Sequence, residues 1–176
     1  MPIAGSPMIC RLIGKCIDSE CVHDIIVVTG HQPIQIINGL SGHPVRFAHN
    51  SEYEKGEMLS SVQVGIRALP ADSAGFFIIP CDLPLVESST FVALAEAWNE
   101  SASAVSPVYK GKRGHPVLIS SALIPEILGL GPGETLKSAL TRYRDRSIEI
   151  PVSDHGILLD VDTQEDYATA LASLQQ

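Results

Sequence analysis

Three short segments of this chain carry side chains whose types and spacing could handle a phosphorylated ligand. Asp82 follows the apolar run Gly75 to Pro80 (GFFIIP) and is pinned by Pro80 and Pro84 within Pro80-Cys81-Asp82-Leu83-Pro84, so its carboxylate is presented where a strand ends. Asp160 and Asp162 flank Val161; on an extended backbone both point to one side while the valine faces the core. Carboxylates from two separate strands can share a divalent cation, and magnesium typically takes one or two of them plus phosphate oxygens. That chemistry is a magnesium nucleotide site. Two plainer roles stay open from the residues alone: Asp82 turning the chain in an Asp-x-Pro, and Asp162 capping a helix.

The third segment is the loop Lys110-Gly111-Lys112-Arg113-Gly114-His115-Pro116, with three cations, a histidine and two glycines that permit close backbone approach. An arginine here can clamp phosphate bidentately, and a basic cluster facing acidic strand ends suits a chain of net charge -8. A solvated basic hairpin is the alternative. Behind Gly56, Ser60 and Ser61 could hydrogen-bond a base or sugar, or simply cap the first turn of their helix. His23, His43, His49 and His155 are scattered in turns without a role, and Arg142, Arg144 and Arg146 read as a solvated helix end. Cys81 reads as a packing thiol despite its place beside Asp82.

The elements that must position these groups are legible as alternating strands and helices. Ser6-Pro7 reads as a helix start, serine capping and proline at the first helical position, followed by Met8, Ile9, Leu12, Ile13, Cys16 and Ile17 at helical spacing. Asp24 to Val28 (DIIVV), Pro44 to Asn50, Gly75 to Pro80, Ala104 to Tyr109, Pro116 to Ser120, Ser147 to Val152 and Gly156 to Val161 read as strands. A short helical stretch restarts at Gln32-Pro33, and helices are predicted over Glu57 to Leu69, from a cap at Ser88 or Ser89 through Trp98, and over Glu134 to Tyr143. Thr163 with Asp166 imitates a capping box opening a final helix, with Tyr167, Leu171 and Leu174 on one side. This alternation predicts a three-layer α/β/α Rossmann-like fold with a mixed, mostly parallel sheet. Ligands in such sheets sit beyond the carboxyl ends of strands, here at Thr29-Gly30-His31, Asn50, Asp82 and Asp160.

Composition bounds the classes. With 45% hydrophobic and 18% charged residues over 176 positions, a single soluble domain spanning 1–176 is expected, and disordered or collagen-like chains are excluded. A chain this long buries roughly 70% of its unfolded surface and needs no metal or disulfide staple. Twelve Lys and Arg against twenty Asp and Glu repel polyanions, so no nucleic-acid partner is expected. Cys10, Cys16, Cys21 and Cys81 form no C-x-x-C pair and read as reduced thiols. No apolar run approaches the roughly 18 residues of a membrane span, and Arg11 and Lys15 interrupt the one stretch that imitates a signal peptide. A cytoplasmic protein without a membrane partner is the expectation.

Five segments occur in a telling order: TGH at Thr29 to His31, GEMLSSVQVGI at Gly56 to Ile66, PCDLP at Pro80 to Pro84, and YKGKRGHPVLIS at Tyr109 to Ser120 followed by GILLDVDTQEDY at Gly156 to Tyr167. On these the chain resembles the molybdenum cofactor cytidylyltransferases of the MobA-like nucleotidyltransferase family, from about Ile3 to the C-terminus. The resemblance implies a nucleotidyltransferase-like fold and magnesium-dependent transfer of CMP from CTP to the phosphate of a molybdopterin-type molybdenum cofactor, releasing pyrophosphate. It maps metal binding onto Asp82 and Asp160, nucleotide contacts onto Gly56, Ser60 and Ser61, and the pterin side onto Arg113, Gly114 and His115. No protein nucleophile is implied, because positioning and charge neutralisation supply most of the rate in such transfers. A molybdoenzyme or cofactor chaperone is the implied protein partner. Two other readings stand beside it: a related nucleotidyltransferase using GTP or a sugar phosphate, and a noncatalytic cofactor-binding protein.

One departure from the family pattern is large. Family members begin with a strand and a glycine-rich loop of the form L-A-A-G-x-S-x-R-M-G-x-x-K that holds the triphosphate, whereas Ile3 to Ile9 here matches the segment on the C-terminal side of that lysine. About 25 residues of the pattern have no counterpart, counting the loop and a strand of roughly six residues. Reading Ala4-Gly5 with Arg11, Gly14 and Lys15 as the loop is opposed by the helical periodicity from Met8 to Ile17. The expectation is a chain begun at the wrong methionine, or a truncated one that binds CTP poorly. A sheet lacking that interior strand should show a gap between the Ile25 and Phe77 strands, or its filling by a second copy in a homodimer or by rearrangement, because open edges invite pairing.

Overall fold

The computed structural model describes residues 2–3, 6–55 and 58–173. A short hairpin of β1 (Pro2–Ile3) and β2 (Ser6–Pro7) leads into α1 (Met8–Asp18). A parallel pair comes next, β3 (Ile26–Thr29) and β4 (Arg46–His49), joined across α2 (Pro33–Gly39). After α3 (Met58–Arg67) comes β5 (Gly75–Ile78), then α4 (Ser88–Ala97), β6 (Ala104–Tyr109), β7 (Lys112–Arg113) and β8 (Val117–Ser120). The chain closes through α5 (Ile124–Gly129), α6 (Leu136–Arg142), β9 (Ser147–Pro151) and α7 (Gln164–Ser173). The larger sheet runs β5-β8-β6-β7, with β9 parallel to β6 and β8 antiparallel to both β5 and β6.

The apolar runs that predict doubly covered strands are buried by alternation. On one face Phe76 of β5, Ile119 of β8 and Ala104 of β6 meet α3, α5 and α6 through Leu59, Ile127 and Ala139. On the other face Phe77 packs edge-on against Phe91 of α4, with ring centroids 5.3 Å apart, while Val105 and Leu118 meet Leu94. The register sets Phe76 opposite Ile119 and Phe77 opposite Leu118, so each strand contributes to both layers. Fully burying a side chain such as Phe91 contributes about 1.5–3 kcal/mol. This is a three-layer α/β/α arrangement, but its sheet is mixed and not mostly parallel in its pairing: β3/β4 and β6/β9 pair parallel, whereas β5/β8, β8/β6 and β6/β7 pair antiparallel.

No ladder joins β3 to β5 among the described residues, so the sheet is broken between the Ile25 and Phe77 strands, where the sequence predicts a gap. The two parts still share one layer. Gly65 of α3 lies against Val28 while Leu59 and Ile66 of the same helix pack on Phe76, and Leu12 and Cys16 of α1 share a cluster with Ile25 and Phe77.

Several local expectations are corrected. Pro7 lies outside α1 as its N-cap, with extended backbone, because Ser6–Pro7 is engaged in the hairpin. Gly156 to Val161 is no strand: His155–Leu158 forms a single 3-10 turn, and the backbone after it is irregular. Helix α4 is preceded by Glu87, and neither Ser88 nor Ser89 is its N-cap. The capping box at Thr163 and Asp166 forms as read, the two side chains bonding each other's backbone N–H at 3.2 and 2.9 Å. Tyr167 and Leu171 pack inward, and Leu174 lies outside the described residues.

Candidate active site

Asp82 follows β5 in the tight Pro80–Pro84 segment, partly buried, and its Oδ1 is shielded from solvent with no hydrogen-bond partner. A buried carboxylate oxygen without a donor is costly unless a cation or ligand satisfies it. Its main-chain carbonyl accepts the Val161 N–H at 2.9 Å, which draws the Asp160 segment alongside. Val161 is buried against Leu85 while Asp160 and Asp162 are exposed, as the alternation predicts. Among the described residues no cluster of three or more His, Cys, Asp or Glu could hold a metal. A pair of carboxylates completed by phosphate oxygens and water is what magnesium takes, so the donor set fits that ion.

The glycine-histidine end of the basic loop joins the same corner. Gly114 donates to the Pro107 carbonyl at 3.0 Å and His115 to the Ile157 carbonyl at 3.1 Å. Gly114 cannot be replaced cheaply: a Cβ would stand 2.2 Å from the Ile157 carbonyl oxygen. The His115 ring faces the Ile78 carbonyl, Nδ1 to oxygen 3.4 Å. Burial holds its pKa below the ordinary histidine value, with that carbonyl and the nearby Asp82 charge opposing only in part. The ring is therefore neutral at pH 7 and can accept a proton or a hydrogen bond.

The three cations of the loop are placed differently. Lys110, at positive φ in the tight turn with Gly111, lies over the Tyr109 ring at 5.1 Å. Lys112 is exposed. Arg113 reaches across β6 to form an ion pair with Glu149 of β9 through both Nε and Nη2. Both partners are half-exposed, a situation in which such pairs contribute about 0–1 kcal/mol, so Arg113 is held but can change partners.

On the other sheet, Asn50 follows β4 and is 2% exposed. Its Nδ2 donates to Ser60 Oγ at 2.9 Å and Ser61 Oγ at 3.0 Å, its Oδ1 accepts the Glu52 N–H, and its own N–H bonds the Thr29 carbonyl. The two serines are thus fixed in the first turn of α3 by a strand end. Gly56 lies outside the described residues. Arg11, Gly14 and Lys15 sit on α1, with Lys15 paired to Glu87 at 2.6 Å, which removes them from any phosphate loop.

Sequence reasoning passes over Glu149, Thr90 and Asp154. Glu149 alternates outward on its strand with Ile148 and Ile150 and signals nothing until Arg113 meets it. Asp154 hydrogen-bonds groups 64 and 67 residues away and no local pattern marks it.

Comparison with known proteins agrees with this arrangement. The chain is 26% identical over 147 residues to the molybdenum cofactor cytidylyltransferase of Escherichia coli, covering 83% of this chain and 73% of that one. Its fold superimposes on a nucleotidyl transferase from Methanothermobacter with a TM-score of 0.82 at 23% identity, covering 99% of this chain and 83% of the other. It likewise superimposes on Rv0371c of Mycobacterium tuberculosis in complex with manganese, with a TM-score of 0.76 at 19% identity over 98% and 90% of the chains. The MobA-like NTP transferase domain matches residues 1–147. With a doubly covered sheet, a carboxylate beyond the end of β5 and that match over most of its length, the chain belongs to the MobA-like NTP transferase family and is a nucleotidyltransferase.

Proposed function

We propose that the protein transfers CMP from CTP to the phosphate of a molybdopterin-type molybdenum cofactor, with magnesium as cofactor and pyrophosphate as leaving group. The observation that carries this reading is the corner where Asp82, its Oδ1 lacking any partner, is bonded through its backbone to the residue after Asp160. The 26% identity to a cytidylyltransferase of that pathway supports the substrates, and the manganese complex of a fold relative supports the divalent ion.

Asp82 and Asp160 would hold the metal, which when bound neutralises the triphosphate and polarises the phosphorus under attack. Ser60 and Ser61, fixed by Asn50, orient the nucleotide together with Gly56. Arg113, Gly114 and His115 hold the acceptor: the arginine exchanges Glu149 for the acceptor phosphate, and the neutral His115 ring accepts a hydrogen bond or proton from it. No side chain is required as a nucleophile, because in-line positioning and charge compensation lower the barrier.

The test measures pyrophosphate release with CTP or GTP and molybdenum cofactor as acceptor, in magnesium. Turnover should be selective for CTP and should fall about a hundredfold or more in Asp82→Asn, the loss of several kcal/mol of charge stabilisation. Arg113→Ala should weaken acceptor binding more than CTP binding, by about 1.5–3 kcal/mol for a lost charge-assisted bond. Equal turnover with GTP would reject the cytidine assignment, and equal loss for both ligands would reject the role of Arg113.

A further inference from the structure

Asp154 lies between β9 and the 3-10 turn, and its carboxylate is shared between two distant segments. Oδ2 accepts the Glu87 N–H at 2.9 Å and the Thr90 hydroxyl at 2.6 Å, both at the start of α4; Oδ1 accepts the Gly156 N–H at 2.8 Å. Thr90 is 1% exposed, so the hydroxyl bond of this anchor is sheltered while the Glu87 bond lies at the surface. It also supplies the capping acceptor that Ser88 and Ser89 do not, and a carboxylate at a helix N-terminus is favoured by the peptide dipoles. Immediately beyond, Gly156 is seated so closely on Leu85 that a Cβ would lie 2.3 Å from the Leu85 carbonyl oxygen.

From that anchor the chain 155–161 runs alongside Asp82, Gly114 and His115 of the candidate site. Ile157 receives the His115 N–H, and Val161 donates to the Asp82 carbonyl. The segment is not a strand and has no ladder to define its course. Its position therefore depends on the burial of Ile157 and Val161 and on a few discrete attachments, of which Asp154 is the first and the only charged one among those described.

We infer that Asp154 is a positioning residue: by tying the 155–161 segment to the N-terminus of α4 it sets where Asp160 and the His115 backbone stand relative to Asp82. The inference rests on the reading of Asp82 and Asp160 as metal ligands for its functional consequence, but not for its structural one. The chemistry separates the two roles of Asp154. In Asp154→Asn the single carbonyl oxygen can keep the bonds from Glu87 and Thr90, while the amide NH2 then meets the Gly156 N–H donor to donor. The helix end is retained and the strap is released. Asp154→Ala loses both.

The experiment measures manganese affinity by water-proton relaxation and amide hydrogen exchange at Val161 and His115, in the full chain and in Asp154→Asn, Asp154→Ala and Asp82→Asn. Asp154→Asn should unfold at nearly the parent denaturant midpoint, weaken manganese about ten- to hundredfold, the usual effect of losing a group that orients ligands, and raise exchange at both amides while β6 and β8 amides stay unchanged. Asp82→Asn should abolish manganese binding with little effect on those two amides. Unchanged exchange at Val161 and His115 in Asp154→Asn would overturn the inference. Faster exchange at both with manganese binding intact in Asp82→Asn would overturn the metal reading and leave the strap role of Asp154 established.

Discussion

The two parts of the sheet carry the two halves of the candidate site by different means. In the five-stranded part, Val105 and Ile119 are fully buried and apolar packing from two layers does the holding. In the β3–β4 part, Arg46, Phe47 and His49 of β4 are exposed, α2 has no buried residue, and Ile34 on it is 71% exposed. The apolar core of this part is the smaller cluster of Ile13, Val27 and Leu40, the polar network of Asn50, Thr29, Ser60 and Ser61 adds to it at the strand ends, and β4 pairs only with β3 among the described residues. Regions with few buried apolar contacts and open backbone edges open at lower free energy than the core. The groups proposed to hold metal and acceptor thus ride on the firmer part, while Ser60 and Ser61 sit on α3, which packs on Phe76 of that part and is tied to the looser one through Asn50.

The strongest test of that contrast places one added side chain in the firm part. Gly114→Val puts a Cβ into the Ile157 backbone, and the surrounding layers cannot yield, so urea unfolding should show a loss of about 3 kcal/mol or more, the upper range for overpacking. Retention of parent stability would mean the strap moves freely and would dissolve the distinction.

Next in size is Asn50→Ala. It removes the side chain that Ser60, Ser61 and Glu52 use, at a cost of about 1–3 kcal/mol for buried groups left unpaired. Exchange should quicken in β3 and β4 but not in β6 or β8; uniform quickening would show that the parts open together.

A pH titration sharpens the firm side. His115 has a folded pKa below its unfolded one because the neutral ring is buried. Above the unfolded value the two states bind protons equally. As pH falls below it the unfolded chain takes up the proton first, so stability declines down to the folded pKa and then levels. The slope from this one group is at most about 1.4 kcal/mol per pH unit. His115→Gln should flatten that decline, and an unchanged profile would assign it to other groups.

The smallest effect is of opposite sign. Gly14 lies within α1 with nothing within 4 Å of a would-be Cβ, so Gly14→Ala should stabilise by about 0.5–1 kcal/mol through helix propensity. Destabilisation would reveal a constraint on α1 where it covers the break between β3 and β5.

The sequence alone determined what short-range chemistry controls. The continuous apolar runs DIIVV and GFFII mark strands covered on both sides, helical spacing from Met8 to Ile17 fixes α1, and Thr163 with Asp166 declares a helix start three residues wide. Asp82 is readable because two prolines and an apolar run frame it. Tertiary structure alone decided the partners: Asp154 capping α4 across 67 residues, Glu149 holding Arg113, Asn50 fixing the serines of α3, and the 155–161 strap taking an irregular course where the sequence predicts a strand. The reason is physical. A turn or a cap is completed by groups a few bonds away, whereas a buried carboxylate or amide is satisfied by whichever segment the fold brings within about 3 Å, and an apolar stretch such as Gly156 to Val161 is buried as well by a few pinned contacts as by a ladder.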